Sequence, residues 1–522
     1  MKRLAAGAAA VALALLTFFQ FPGHTWLQQD SQIYVPVLEN QRDPSVLRHD
    51  LLVEHPYVAF TLYDETARLL QAITGLEFRE VLACEQVATR ALGIWGLYLM
   101  ATALGLSPGG AWLVAAICSL GAAVTGPAVF TIEYEPTPRA FALPLVICAL
   151  GLTAHRRWTA AGIAGAAAFL LHPPAALPFW ALFAMARRRW RDLVPFGAAI
   201  GILLVAAGSQ GGTVEAQAFF ARLSPLQEQL QRMRAAYVFV STWPRAVIVH
   251  HLLLFALVLA ALARTWRSIP PELRVFLAGL PALGVATMPL SWLLLERARW
   301  AFVPQLQPMR WLLFLTLAMQ FLAAAAGILA ANCRRVLEAC AWLSLAFLLP
   351  LLPVLTRGWT WNRIALAAAL GTALAADLRW AQKLAAVPAA AAFVAIPWLG
   401  GVVTYPRLHT PELAQLAAWA RSSTPKDAVF LFPDAGRALY PGVFRSQALR
   451  AVYVDWKGGG QVNYLPDFGR EWWFRWQQTM TGDSPAAKYA DLGIGYVVLH
   501  SKSRLPGDAA FENGAYAAFK TR

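Results

Sequence analysis

Three acids and two arginines stand where side chains of their kind do chemistry. Asp30 follows the first apolar segment in QQDSQIYVP (28–36). Glu133 and Glu135 alternate in TIEYEPTPRAF (131–141), with Arg139 close behind them. Arg310 precedes an apolar run in LQPMRWLLF (306–314). A carboxylate at a membrane boundary loses part of its water, which makes it a candidate base. Alternate residues of an extended segment point to one side, and Pro136 and Pro138 bias Glu135 and Thr137 toward extended geometry. A fixed carboxylate pair beside a third acid could bind a divalent cation, Mg or Mn, or serve as a base. A guanidinium grips phosphate bidentately, so Arg139 and Arg310 could hold one. Each has a plainer alternative. Asp30 could cap a helix. The two glutamates could pair with Arg139 at the interface. Arg310 could be an anchor that snorkels beside Trp311.

These residues need a scaffold, and the composition says which kind. Of 522 residues, 58% are hydrophobic and 14% charged, and the mean hydropathy is +0.49. Many apolar runs approach the ~20 residues that cross a bilayer. The expectation is a polytopic helical membrane protein of about 13 spans. Beyond the first, candidate spans lie near 89–106, 111–130, 139–154, 158–171, 173–186, 193–208, 246–263, 275–294, 311–330, 336–355, 364–377 and 384–402.

The net charge of +15 suggests no nucleic acid, because the basic residues cluster in short loops between apolar spans. The positive-inside rule puts them there, and anionic lipid suits them. With Lys2 and Arg3 in the cytoplasm, alternation also places HRRW, RRRWRD, RTWRSIPPELR, NCRR and DLRWAQK inside. FFQFPGHTW offers no cleavage site, so the first segment reads as an uncleaved span. The acids and Pro-rich pieces then lie on the outer face. The five cysteines form no C-x-x-C pair and read as small buried hydrophobes.

Residues 22–87 are too polar to cross and suggest helices lying in the interface. From about Pro406 the character changes again. TPELAQLAAWARSS reads as a helix, 428–432 as a strand, ALRAVYVDWK as a strand, PDFGREWWFRWQQTM as an aromatic helix, and PAAKYADLGIGYVVLH as helix, turn and strand. The expected organisation is a membrane module over 1–405 and a small soluble α/β domain over 406–522. The aromatic cluster EWWFRW (471–476) could stack on sugar, but docking on the membrane or on the transmembrane body suits it better. His172 reads as a capping or interfacial histidine and not as a ligand. The P-loop, H-E-x-x-H, G-x-S-x-G and G-x-G-x-x-G motifs are all missing, which leaves ATP-driven pumping and soluble-type hydrolysis without support.

The layout resembles the C-superfamily of integral-membrane glycosyltransferases (GT-C). Asp30 in DSQIY matches the essential acid that those enzymes carry just after span 1, ahead of a long outer loop with interfacial helices. Glu133 and Glu135 match the place between spans 3 and 4 where oligosaccharide-transferring members have an acidic pair. Many members end in a soluble outer domain. Many also have two adjacent acids after span 1. Here the second place is Ser31, which leaves metal dependence open.

The resemblance implies transfer of a sugar from a polyprenyl-phosphate carrier to an acceptor at the outer face of a bacterial inner membrane. Asp30 would be the catalytic base, and Glu133, Glu135, Arg139 and Arg310 would bind substrate or ion. Any metal would fall to Asp30, Glu133 and Glu135. Sugar, acceptor and protein partners stay unassigned. The alternative expectation is a transporter or scaffold for envelope polysaccharide assembly.

Overall fold

The computed structural model describes residues 2–55, 61–187, 189–209, 219–351, 408–480, 486–500 and 508–521. Helix α1 (Lys2–Phe19) is followed by three helices of the polar first loop, α2 (Ser31–Arg42), α3 (Leu51–Glu54) and α4 (Tyr63–Thr74). The membrane body then runs through α5 (Phe78–Ala103), α6 (Pro108–Ser119), α7 (Pro138–Ala154), α8 (Trp158–Leu171), α9 (Pro173–Ala186) and α10 (Val194–Ser209). It continues with α11 (Pro225–Arg234), α12 (Arg245–Thr265), α13 (Pro271–Ser291), α14 (Val303–Leu306), α15 (Leu312–Asn332) and α16 (Val336–Leu348). Four of the described segments are long and apolar enough to cross a bilayer: Trp190–Gly208, Arg245–Thr265, Pro271–Arg297 and Val303–Asn332. Six shorter apolar helices accompany them. This is a multi-pass membrane protein.

Packing around the centre depends on small residues. Helix α15, with α6, α12, α13 and α16 around it, is the buried column of the bundle. Helices α5 and α7 lie almost backbone to backbone: a Cβ on Gly96 would meet the Ile147 carbonyl at 2.5 Å. Apolar lipid gives little hydrophobic drive between helices, so close backbone approach at glycine supplies the dispersion contact.

Several boundaries differ from the sequence reading. The span expected at 111–130 is cut short, because α6 ends at Ser119. Gly121 and Gly126, at φ 68° and 91°, turn the chain into a hairpin of β1 (Ala123–Val124) and β2 (Val129–Phe130). The amphipathic stretch FREVLACEQVATRAL and the span after it form one helix, α5, with no proline to interrupt it. Helix α2 falls within residues 22–87, where interfacial helices were expected, and runs through Pro36. Cys118 and Cys148 are buried as expected, but Cys84 and Cys333 are exposed. The candidate spans 364–377 and 384–402, and so the full span count, lie outside the described residues.

The C-terminal region builds a five-stranded sheet in the order β4-β3-β5-β7-β6, where β3 is Val429–Leu431, β4 Ala451–Val452, β5 Tyr496–His500, β6 Phe511–Glu512 and β7 Tyr516–Lys520. Strands β3, β4 and β5 run parallel, and β7 and β6 join antiparallel. Central β3 is buried along its whole length, as a parallel strand covered on both faces must be. Three helices accompany the sheet: α17 (Pro411–Ser423), α18 (Tyr440–Ala448) and α19 (Pro466–Thr479). Thr410 caps α17 by accepting from Leu413 N–H, with Pro411 at the first helical position. Leu413, Leu416, Ala417 and Ala420 recur at helical spacing to bury one face of α17.

Candidate active site

Helix α2 begins one residue after Asp30, and its N-terminus is held by an acid from far along the chain. Glu135 Oε1 accepts from the backbone N–H of Gln28 (3.0 Å) and Gln29 (2.6 Å) and from Ser31 Oγ (2.7 Å). Its Oε2 accepts from Asp30 N–H (2.8 Å). A carboxylate at a helix N-terminus satisfies orphan donors and suits the helix dipole. Asp30 is thereby relieved of capping, and its side chain makes no cap bond. The Glu135 segment is fixed in turn by buried Arg90, which donates to the carbonyls of Thr17 (3.2 Å), Gly23 (2.7 Å) and Glu133 (2.7 Å).

The carboxylate pair expected of Glu133 and Glu135 is not formed. Bends at 131–132 and 134–135 replace the extended segment that would have aligned them. Glu133 Oε1 instead accepts from Arg139 Nε (2.7 Å) and from Phe130 N–H (3.3 Å). This buried pair offsets the cost of placing a cation in the first turn of α7.

Asp30 opens into a cavity of about 480 Å³, whose wall includes Arg139, Arg310, Tyr237, Arg234, Lys457 and Tyr464. Neither Glu133 nor Glu135 lines it. A second cavity, about 370 Å³ and largely apolar, is lined by residues such as Phe169, Leu177, Leu203, Leu204, Phe302 and Leu313. The two share Tyr34, Pro138, Arg139, His172, Arg310 and Tyr464. Arg139 and Arg310 thus stand where a polar chamber meets an apolar groove. Ile200 and Leu204 on α10 are exposed, so the groove opens on the apolar flank of the bundle.

Sequence reasoning missed Lys457. Its Nζ lies 2.5 Å from Asp30 Oδ1. Burial disfavours the charge on Asp30, but Lys457, with Arg139 and Arg310 behind it, outweighs burial and holds the carboxyl below the usual carboxylate range. Lys457 is positioned by a chain of buried charge. Arg445 binds Asp50 (2.6 Å) and also Asp455. Asp455 Oδ2 accepts from the N–H of Lys457 (3.1 Å) and Gly458 (3.2 Å). Asp50 accepts from Val452 N–H (2.9 Å), so the first loop is tied to strand β4.

Arg310 makes no hydrogen bond or ion pair through its side chain among the described residues and rests on the ring of Tyr237 at 5.0 Å. His172 caps α9, its Nδ1 accepting from Ala175 N–H at 3.1 Å. Burial, with the charges of Arg139 and Arg310 added, pushes its pKa well down. A neutral ring that accepts at Nδ1 carries its proton on Nε2. The EWWFRW segment docks against the first loop: Arg475 pairs with Glu54 (3.1 Å), His55 with Glu471 (3.3 Å), and Trp472 is buried.

The residues present do not fit a divalent ion. Such an ion needs several oxygens at ~2.0–2.6 Å. Glu135 spends its oxygens on N–H and O–H donors, Glu133 is bound to Arg139, and Asp30 faces an ammonium. No cluster of three His, Cys, Asp or Glu side chains suited to a metal occurs among the described residues.

The chain thus runs from a first apolar helix to an acid, a long loop of short helices and, at its C-terminal end, the five-stranded sheet. A family described as a domain of unknown function (DUF6798) matches residues 411–479. No curated protein matches. Among solved structures the chain is similar to the arabinofuranosyltransferase AftD from Mycobacteria, at 19% identity and a TM-score of 0.45 over 96% of this chain. It spans only 37% of AftD. It is also similar to ArnT from Cupriavidus metallidurans in the apo state, at 13% identity and a TM-score of 0.42 over 99% of this chain and 98% of ArnT. The ArnT structure bound to undecaprenyl phosphate is similar at 12% identity and a TM-score of 0.41, over 98% of this chain and 96% of ArnT.

Proposed function

We propose that this protein is a GT-C-type glycosyltransferase that moves a sugar from a polyprenyl-phosphate carrier to an acceptor at the outer face of the bacterial inner membrane. One observation carries the reading: an apolar groove open at the flank of the bundle meets a cationic chamber at Arg139 and Arg310, and the chamber holds Asp30. The shape and charge suit an amphiphile with a long apolar tail, a phosphate and a polar head. The tail would stay in the groove, beside the hydrocarbon, throughout the reaction.

In the proposed reaction the acceptor hydroxyl attacks the anomeric carbon, and the bond from that carbon to the phosphate oxygen breaks. The bonding pair leaves with the polyprenyl phosphate. The acceptor's proton passes to Asp30 Oδ. Arg139 and Arg310 meet the charge that builds on the leaving phosphate, and His172 Nε2–H adds a neutral donor beside them. Lys457 is shared between Asp30 and the phosphate. As phosphate charge grows it draws the ammonium away, which raises the basicity of Asp30 when a base is needed. Glu135 is the positioning residue for Asp30, and Glu133 the counter-ion that aims Arg139.

The proposed topology puts the N-terminus in the cytoplasm and residues 406–522 outside, as a soluble α/β domain on a membrane module formed by 1–405. The contact of Lys457 with Asp30 supports placing residues 406–522 on the same side as the loop that follows the first helix, and the basic loops support putting the opposite side in the cytoplasm. The test is turnover of a panel of polyprenyl-phosphate-linked sugars by purified protein in detergent or nanodiscs, with envelope extract as acceptor. Release of polyprenyl phosphate that depends on both donor and acceptor is expected. Binding of the carrier without release across the whole panel would favour a scaffold.

A further inference from the structure

Resting on that reading, the chamber has more positive charge than one carrier phosphate can use. Two of its cations are already matched, Arg139 by Glu133 and Lys457 by Asp30. Arg234, Arg310 and Arg437 line the same chamber with no carboxylate partner among the described residues. A sugar-linked monophosphate is a diester with a single negative charge, and Arg310, at the mouth of the groove, is placed to meet it. Arg234 and Arg437 remain, and they line the chamber but not the groove.

Both arginines stack on one aromatic ring. The Arg234 guanidinium lies 3.8 Å from the centre of Trp456, and that of Arg437 lies 4.6 Å from it. Arg234 also donates to the Trp456 carbonyl. Its Nε is buried with no partner, and an unpaired buried charged donor is costly unless a ligand completes it. Both face the same chamber, and an anion within reach of the two would relieve the repulsion between like charges. Stacking on Trp456 fixes the guanidinium planes, which suits forked binding of a carboxylate or phosphate.

We propose that Arg234 and Arg437, oriented by Trp456, form an acceptor subsite for an anionic group, so that the acceptor is a phosphorylated or uronic-acid-bearing saccharide and not a neutral one. The subsite shares the chamber with Asp30 and stands apart from the lining of the groove.

Binding to the purified full-length protein tests this without any need for turnover. Undecaprenyl phosphate is added to saturation, and binding of galactose 6-phosphate, galacturonate and galactose is then measured by calorimetry. The anionic sugars should bind and galactose should not. R437Q and R234Q should each weaken the anionic sugars by ~10-fold, the scale of a lost charge-assisted hydrogen bond. Carrier affinity should stay within about twofold. R437Q is the decisive variant, because Arg437 is exposed and its loss should not disturb folding. Equal binding of galactose, unchanged affinity in R437Q, or competition of the anionic sugar with the carrier would each overturn the subsite. A titration with undecaprenyl diphosphate closes the other source of anion. If the two variants weaken the diphosphate but not the monophosphate, the arginines serve a second carrier phosphate and the acceptor assignment falls. Failure of undecaprenyl phosphate itself to bind would instead count against the carrier reading.

Discussion

The ammonium of Lys457 sits 2.5 Å from the Asp30 carboxylate, joining the C-terminal region to the acid that follows the first helix. This contact sets the acidity of the proposed base. With its folded pKa depressed, Asp30 contributes stability at neutral pH that is lost as pH falls through the folded value, below the ~4 of a free carboxylate. Asp30 is partly open to solvent, so screening limits that contribution to about 1 kcal/mol or less. The pH dependence of kcat/KM is the sharper readout. Its acid limb should lie below the ordinary carboxylate range. K457M removes the main lowering influence and leaves burial, so the limb should move up, while K457R should keep it low. An acid limb that is the same in K457M and wild type would mean the pair does not control the base.

Glu135 should matter through position alone. E135Q keeps the shape but turns one acceptor into a donor facing backbone N–H groups. About 2 kcal/mol of stability should go, the scale of unsatisfied buried donors. Turnover should fall with it because the 28–31 turn loosens. E133Q should cost less stability and act chiefly on KM for the carrier, through Arg139. Thermal unfolding and steady-state kinetics of the two variants check this. The idea fails if E133Q proves the more damaging to stability.

Arg445 is the buried bridge between the first loop and the loop that carries Lys457. R445M strands Asp50 and Asp455, both buried, and should cost roughly 3–5 kcal/mol. The loss should appear as new protease cleavage near the C-terminal sheet at temperatures where wild type resists. D50N, whose one oxygen can still accept from Arg445 and Val452 N–H while its amide nitrogen loses the bond from Leu52 N–H, should be milder. Equal protease resistance in R445M and wild type would contradict the bridge.

The acids of the site are each engaged elsewhere, so turnover should persist in EDTA, and Mn²⁺ added to the apo protein should show no tight-binding EPR signature. A chelator that abolishes turnover, with rescue by Mg²⁺ or Mn²⁺, would show that Asp30 gains oxygen partners when substrate binds.

Much of this arrangement was legible in the residues themselves. Hydropathy alone marked α8, α9 and the cores of α12, α13 and α15, because uninterrupted apolar runs have one stable form in lipid. Asp30, Arg139 and Arg310 stood out by type and place, and the structure gathers all three around one chamber. The functions of Glu133 and Glu135 were harder to read, since two bends separate their directions and spacing alone predicts no bend. Lys457 gave no local signal. It sits in an ordinary WKGGG loop, and only the tertiary path through Asp50, Arg445 and Asp455 brings it to Asp30. Gly459 was a faint hint: it packs on Trp472, and a side chain there would collide with the ring.

The central claim is that Asp30 takes the acceptor's proton, and the most direct measurement is the rate of polyprenyl-phosphate release by purified D30N beside wild type, with carrier affinity and thermal stability measured on the same samples. Asn keeps the size of the side chain, and the structure gives Asp30 no capping bond to lose. The account predicts a ~10²–10⁴-fold loss of turnover, the usual worth of general base catalysis, with carrier binding and folding intact. Near-normal turnover by D30N would contradict it and would leave Asp30 as a partner for Lys457 and nothing more.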